Sequence, residues 1–431
     1  MEKIFEMPFM IKLQEFGQNL GNNKFLGALQ AAMMSLMGVI MIGAISQVIC
    51  AVGSSLLNLF PTGGSVYNLV YLPYQYTMNL LSVWVVATLA FHYAKNLEMK
   101  SPIMNALNAL ICFFLVAGTL TATETGALTI SMTYLGAQGM FTGFLVVFIT
   151  VRIDKFCTDK NVRIKMPSAV PQFLQDGFAS IIPLLFSIIL FIVISTVISI
   201  TTNGAYTVCS GFMALLSAPL GTLTSVPGII ILATFAVLLW CFGIHGSMVL
   251  MPVIIPLLLT ASTTNAQLHE AGQPLQFFPI LLYGTMSSVG GTGNTLPLAL
   301  FGLRSKSKQI SAVAKVSLVP SWFGINEPMT FGFPIMYNPI LCIPYVLNVP
   351  ILMILSYIAY QVGFLQPAWI SVTALLPMGF AGYLGTLRWQ NAIWSYILLI
   401  PACIIYYPFF KVYEKQLIAK EKEAEEAEQA A

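Results

Sequence analysis

From Ile181 to Ile200 the chain reads IIPLLFSIILFIVISTVISI, an apolar run without a single charge. A run of roughly 20 apolar residues is what a helix needs to cross a hydrocarbon core about 30 Å thick. Comparable stretches recur from Phe25 to Phe410, and they predict about ten crossings. Of 431 residues 57% are hydrophobic and 8% charged, against roughly a quarter charged in soluble domains. The pattern favours helices over a transmembrane barrel, which would show alternating segments of about ten residues. The predicted fold is an all-α polytopic membrane bundle.

Basic residues set the expected orientation. Lys3, Lys12 and Lys24 precede the first span, and Lys411, Lys415, Lys420 and Lys422 follow the last, so both termini are expected on the cytoplasmic side. Lys95, Lys100, the cluster from Arg152 to Lys165 and the RSKSK of Arg304 to Lys308 belong on the same side. The connections near 61–70, 121–126 and 201–225 carry no Lys or Arg and face outward. The opening residues lack an apolar segment followed by a small-residue cleavage site, so no signal peptide is expected. Residues 1–24 read instead as an amphipathic cytoplasmic surface segment. The tail 411–431, which ends KEKEAEEAEQAA, reads as a solvated helical end.

Two stretches differ in texture. Residues 25–203 contain five ordinary spans, with an interfacial amphipathic segment at 160–178, where RIKMPSAVPQFLQDGF mixes prolines with alternating polarity. After an uncharged outer loop, 204–228, the spans of 229–410 are broken at membrane depth by FGIHGSMV, SSVGGTGNTLPLALFG and GINEPMTFGFPIMYNP. Backbone groups freed by such breaks cost several kcal/mol each if they face lipid, so broken segments sit inside protein or line a wet cavity. Two re-entrant hairpins are expected, near 277–303 and 323–337.

Glu327 is the carboxylate that this pattern isolates. The other acids cluster near chain ends or in loops, whereas an acid at membrane depth is costly and marks function. Its plainer role would be to cap the turn beside Pro328. His245, flanked by glycines, is the histidine expected at depth; it can donate, accept or protonate there, or serve only in packing. Asn294 adds a donor and an acceptor to the GGTGNT turn. Trp240 and Trp389 offer flat faces for a sugar ring, although a tryptophan at a membrane interface is more often an anchor. No spacing joins the histidines or the seven cysteines into a metal or redox motif, and no nucleotide loop is present, so no metal and no cofactor are expected. The formal charge of +3 is too small, and too tied to loops, for nucleic acid. One acid, one histidine, amides and aromatics suit a neutral, hydroxyl-rich ligand.

Four segments carry a family resemblance: MPSAVPQFLQDGFASIIP from Met166, FGIHGSMV from Phe242, GGTGNT from Gly290 and GINEPMTFGFPIMYNP from Gly324. Together they resemble the membrane subunit, enzyme IIC, of the bacterial phosphoenolpyruvate-dependent sugar phosphotransferase system, in its lactose, cellobiose and diacetylchitobiose family. The first span lacks the Arg-Asp-Gly and Met-Pro features of that family. The resemblance implies a homodimer in the bacterial cytoplasmic membrane, joined through its first five spans, with the sugar held by the later ones. It implies that a β-linked disaccharide is carried inward while a phosphorylated IIB protein phosphorylates its 6-hydroxyl. It places Glu327 and His245 at the reacting hydroxyl, and Trp240, Asn294 and Trp389 as sugar contacts. The residues alone leave a second class open, an ion-coupled secondary sugar transporter, which also uses broken helices.

Overall fold

Proline and glycine punctuate this chain, and between them long apolar runs wind into helices. The computed structural model describes residues 22–430 except 124, 125, 168, 334 and 373–375, with Lys12, Glu15, Gln18 and Asn19 isolated before them. The surface segment expected at 1–24 therefore lies almost wholly outside the described residues. The chain divides into two units by its internal contacts.

The first unit comprises Asn22–Gly221 and Pro252–Thr263. Its helices are α1 (Lys24–Ser35), α2 (Met37–Ala51), α3 (Ser65–Thr77), α4 (Leu81–Asn96), α5 (Pro102–Ala117), α6 (Met140–Asp159), α7 (Gln172–Thr201) and most of α8 (Val208–Leu223). Helix α4 buries Leu81, Val85, Val86, Leu89, Ala90, Tyr93 and Ala94, the three-and-four spacing of a helix packed along one face. Small residues face it, among them Ala28 and Ala32 of α1 and Ala109 of α5, which lets backbones approach closely where lipid supplies no hydrophobic drive. Helix α7 buries only Ser180, Pro183, Ser187 and Phe191 over 30 residues. The rest of its surface is apolar and exposed, for example Leu185, Ile189 and Val193 at about half their area.

The second unit comprises Thr222–Met251 and Thr264–Ala431. It holds α9 (Val226–Trp240), both ends of α10 (Gly246–Glu270), a 3-10 segment (Pro279–Ser287), α11 (Leu296–Gly302), α12 (Lys308–Trp322), α13 (Glu327–Gly332), α14 (Pro339–Gln361), α15 (Phe380–Thr386) and α16 (Trp389–Ala430). Prolines lie inside several of these helices, among them Pro252, Pro256, Pro344 and Pro350. Membrane helices tolerate this because neighbours re-satisfy the freed carbonyls. Thr260 adds a bond on the same helix, donating its hydroxyl to the Pro256 carbonyl at 2.8 Å.

Among the described residues, six helical stretches are long and apolar enough to cross a membrane, the most apolar being α7. Helices α5 and α9 are apolar but shorter. Helix α16 has 42 residues, about 63 Å at 1.5 Å per residue, so its charged end from Lys411 extends past any hydrocarbon core.

Local structure adds to the sequence expectations at three places. The connection near 121–126, expected to face outward, is bordered by a two-stranded antiparallel pair, β1 (Leu120–Ala122) with β2 (Leu128–Ile130), in which the hydroxyls of Thr121 and Thr129 meet at 3.0 Å. Alternating Thr and aliphatic residues suit a pleated strand. The connection 204–228 contains α8, started by a reciprocal cap: Thr207 N–H donates to Ser210 Oγ at 2.8 Å and Ser210 N–H to Thr207 Oγ1 at 3.2 Å. Residues 172–178 of the expected interfacial segment are continuous with a span, forming the first two turns of α7, which Pro171 precedes and which runs on through Gly177 and Pro183.

Candidate functional site

The predicted site residues lie in the second unit, where two turns and one helix start converge. The first turn follows the 3-10 segment. Gly290, Gly291, Gly293 and Asn294 all take left-handed backbone conformations there, Asn294 with φ of 57°, and the chain reverses with Gly293 N–H donating to the Met286 carbonyl at 3.0 Å. Asn294 is fully buried and accepts from Val289 N–H at 2.9 Å through Oδ1. Its Nδ2 is buried without a hydrogen-bond partner.

The second turn, Phe323 to Asn326, joins α12 to α13. A Cβ at Gly291 would stand 2.6 Å from the Gly324 carbonyl oxygen and 2.7 Å from Asn326 Cβ, so glycine there is what lets the two turns touch. Asn326 is 3% exposed and donates through Nδ2 to the Thr292 carbonyl and to Thr330 Oγ1, each at 3.0 Å. Thr330 in turn donates to the Asn326 carbonyl at 3.0 Å.

The third element is the start of α10. His245 caps it, its Nδ1 accepting from Met248 N–H at 3.2 Å. Two residues on, the Ser247 hydroxyl lies 3.3 Å from that of Thr292. On the other side the His245 ring packs 4.3 Å from the ring of Trp240. Trp240 closes α9 at 3% exposure, and its Nε1 is buried without a partner. The loop after α9 is pinned by Tyr337, whose N–H donates to the Cys241 carbonyl at 2.9 Å and whose hydroxyl donates to the Phe242 carbonyl at 2.8 Å.

Contacts thus join Trp240 to His245, and Ser247 through Thr292 to Asn326, with Asn294 and Glu327 close by in sequence. The carboxylate expected to be buried is exposed. It opens α13, where Met329 and Thr330 take the buried side of a six-residue helix. No hydrogen bond to it is formed among the described residues, so it does not cap the turn. Trp389 stands apart. It begins α16 at 62% exposure, and no hydrogen bond or ring contact joins it to the other four. The remaining histidines are engaged elsewhere: His92 Nε2 lies 3.0 Å from Ser35 Oγ, and His269 stacks on Trp369 with ring centroids 3.7 Å apart. Six of the seven cysteines are buried and Cys403 is half-buried; all are unbridged.

Sequence reading missed the residues that join the site together: Ser247, Thr292, Asn326 and Tyr337. All four do lie inside the quoted motifs, where each could have been marked as a hydrogen-bonding residue at or next to a break. Chemically, the arrangement offers a free carboxylate, a histidine fixed by its cap and two buried N–H donors in need of acceptors.

The model of the family "Phosphotransferase system, EIIC" matches residues 30–348. The chain is 32% identical to the lactose-specific EIICB component of the phosphotransferase system from Streptococcus mutans, over 97% of this chain and 74% of that protein. It is 29% identical to the oligo-beta-mannoside-specific EIIC component from Bacillus subtilis, over 96% of this chain and 95% of that one. Among solved structures it matches ChbC, the IIC component from the N,N'-diacetylchitobiose-specific phosphotransferase system, with a TM-score of 0.85, 27% identity and coverage of 95% of this chain and 98% of the other. By these matches, and by the break motifs that build its site, the chain belongs to the EIIC family of the phosphotransferase system.

Proposed function

We propose that this chain is the sugar-specific permease subunit for a β-linked disaccharide of the cellobiose or diacetylchitobiose type, which it carries inward across the bacterial cytoplasmic membrane. The observation that carries the reading is two buried donors, Trp240 Nε1–H and Asn294 Nδ2–H, left without acceptors among the described residues and lying in the same unit as the exposed Glu327. Buried donors are almost always paired, and the hydroxyls of a sugar are acceptors of the right kind. The indole face of Trp240 offers an apolar platform for the C–H side of the ring, and Trp389 a more exposed one. The named specificities of the relatives, lactose, oligo-beta-mannoside and N,N'-diacetylchitobiose, support a β-linked substrate.

In this reading the donor is the phosphocysteine of a phosphorylated IIB protein on the cytoplasmic side. The sugar 6-hydroxyl oxygen attacks phosphorus as its proton passes to the Glu327 carboxylate. The new O–P bond forms, the S–P bond breaks and the cysteine thiolate leaves. His245 donates a hydrogen bond to the same hydroxyl oxygen and orients it. The protein works as a homodimer joined through 25–203, with both termini cytoplasmic, about ten crossings, and 277–303 and 323–337 as re-entrant hairpins within the sugar-binding part, 229–410. The left-handed reversal at Gly290 to Asn294 and the turn at 323–326 support the hairpins. The exposed apolar flank of α7 supports a surface met by lipid or a second protomer.

The test is a vesicle assay. Vesicles containing only this protein should bind or slowly equilibrate sugar and make no sugar phosphate until phosphorylated IIB is added. Concentrative uptake of free sugar on a proton or sodium gradient, without IIB, refutes the proposal.

A further inference from the structure

A cationic recess lies in the first unit, well apart in sequence from the residues of the sugar site. Its lining is Asn23, Lys24, Phe25, Leu26, Tyr93, Phe148 and Arg152, around a cavity of about 450 Å3. Among the described residues it contains two cations and no acid. Arg152 is held in place by three contacts: its Nε donates to Tyr93 Oη at 2.7 Å, and its guanidinium carbon lies 5.9 Å from the Tyr93 ring centroid and 5.5 Å from that of Phe148. Those rings are themselves fixed. Phe25 meets Tyr93 edge-on at 5.0 Å and Phe148 edge-on at 5.5 Å, and Tyr93 is fully buried.

A guanidinium anchored this firmly normally faces a carboxylate or phosphate, because its planar fork matches either. Among the described residues no carboxylate answers it. The ion pairs among the described residues are Lys155–Asp159, Lys308–Glu425 and Lys411–Glu414. Asp154, two residues on, points around the helix into a different recess, shared with Arg163 and Asp176. The forward end of the Arg152 fork therefore remains for a ligand. Lys24 stands beside it at the start of α1, whose dipole also favours an anion. The amides of Phe25 and Leu26 there are already taken by Asn23 Oδ1, so the side-chain cations carry the recognition. The α1 start is tied to the end of α4, since Asn96 Nδ2 donates to the Lys24 carbonyl at 2.9 Å. The recess thus sits where membrane helices begin and end, with aromatic walls behind the charges.

We infer that this recess binds the phosphate of an anionic phospholipid, with Arg152 and Lys24 on the headgroup and the Phe25 and Phe148 rings against the first carbons of the chains. The occupant is a lipid rather than a free phosphate because half of the lining is aromatic or aliphatic and the cations lie on the side assigned to the cytoplasm, whose leaflet is rich in anionic lipid. The inference rests on membrane placement and is independent of the sugar chemistry.

The experiment uses the full-length protein in vesicles with a photoactivatable phosphatidylglycerol, the adducts being mapped by mass spectrometry. Labelling is expected to concentrate on the peptides around Lys24, Tyr93 and Arg152. It should fall about fivefold for each cation removed in Lys24→Gln and Arg152→Gln, the effect of roughly 1 kcal/mol per basic residue. A photoactivatable phosphatidylcholine should not concentrate there. Lys24 is exposed, so Lys24→Gln keeps the test decisive should Arg152→Gln fail to fold. Even labelling along all lipid-facing helices, equal labelling by phosphatidylcholine, or no change in Lys24→Gln overturns the inference. Full competition by glycerol 3-phosphate overturns the lipid assignment in favour of a soluble phosphate. Sugar-phosphate formation is recorded in parallel; its failure would bear on the proposed transport function and not on this site.

Discussion

Asn326 Nδ2 donates to the Thr292 carbonyl at 3.0 Å, and this single bond couples the turn that presents Glu327 to the turn that buries Asn294. The second proton of the same amide goes to Thr330. One side chain therefore fixes the spacing between the proposed base and a proposed sugar contact.

Asn326→Ala should break that coupling. It leaves the Thr292 carbonyl without its donor and a void between the turns, and an unpaired buried group costs about 1–3 kcal/mol. The expected result is a lower melting temperature with sugar affinity reduced at least tenfold. Asn326→Asp, which keeps the shape but offers no N–H, should behave similarly. Melting curves and calorimetric titration with disaccharide check both; wild-type affinity in either variant contradicts the coupling.

Glu327→Gln removes the charge and the proton-accepting capacity while keeping shape. Sugar binding should survive in part, and phosphoryl transfer from phosphorylated IIB should fall by roughly a hundredfold or more, the scale of a lost general base. A transfer rate near wild type would show that the carboxylate takes no part in the chemistry.

Gly293 and Gly63 form a matched pair. Both have positive φ, 78° and 75°. A Cβ on Gly293 would lie 2.2 Å from Tyr345 Cε2, while one on Gly63 would meet nothing within 4 Å. Gly63→Ala should therefore show only backbone strain, about 1 kcal/mol, and bind sugar normally. Gly293→Ala should destabilise more and lose binding, because Tyr345 is fully buried and Tyr406 donates to the Gly293 carbonyl at 2.7 Å. Equal melting temperatures for the two variants would contradict this packing.

Glu421, in the charged end of α16, caps α12 from 113 residues away. It accepts from Ser307 Oγ at 2.7 Å, Gln309 N–H at 3.0 Å and Lys308 N–H at 3.1 Å. Burial raises its carboxyl, but the Ser307 hydroxyl and the two amides outweigh that and hold it below the usual glutamate value of 4.5. A depressed carboxyl contributes stability above its unfolded value and loses it as pH falls through the folded one. Amide exchange at Gln309 and Ile310, corrected for intrinsic rate, should therefore quicken as pH drops below about 4.5, and in Glu421→Ala it should be fast at every pH. Unchanged protection in Glu421→Ala would show that the tail does not hold α12.

The membrane class was legible because one property, uninterrupted apolar length, decides it. The breaks at His245, Asn294 and Glu327 were legible because Gly, Pro and Asn at depth have a local cause. Helix α8 was not, since an uncharged segment rich in Gly and Ser reads as loop until the Thr207–Ser210 cap is seen. The exposure of Glu327 was hidden as well. Which side of a six-residue helix is buried depends on what Met329 and Thr330 pack against. The joints at Thr292 and Asn326 are tertiary, formed between residues 34 positions apart, and no local pattern announces such a pairing.

The cap that His245 places on α10 has a consequence for proton traffic. Because Met248 N–H donates to Nδ1, the hydrogen of the neutral ring sits on Nε2, and the ring's lone pair in its own plane is already spent. Such an imidazole can give a hydrogen bond outward but has nowhere to receive a proton unless the first turn of α10 lets go. A proton shed by a sugar hydroxyl would have to settle on a neighbour with vacant lone pairs, which is the part proposed for the Glu327 carboxylate.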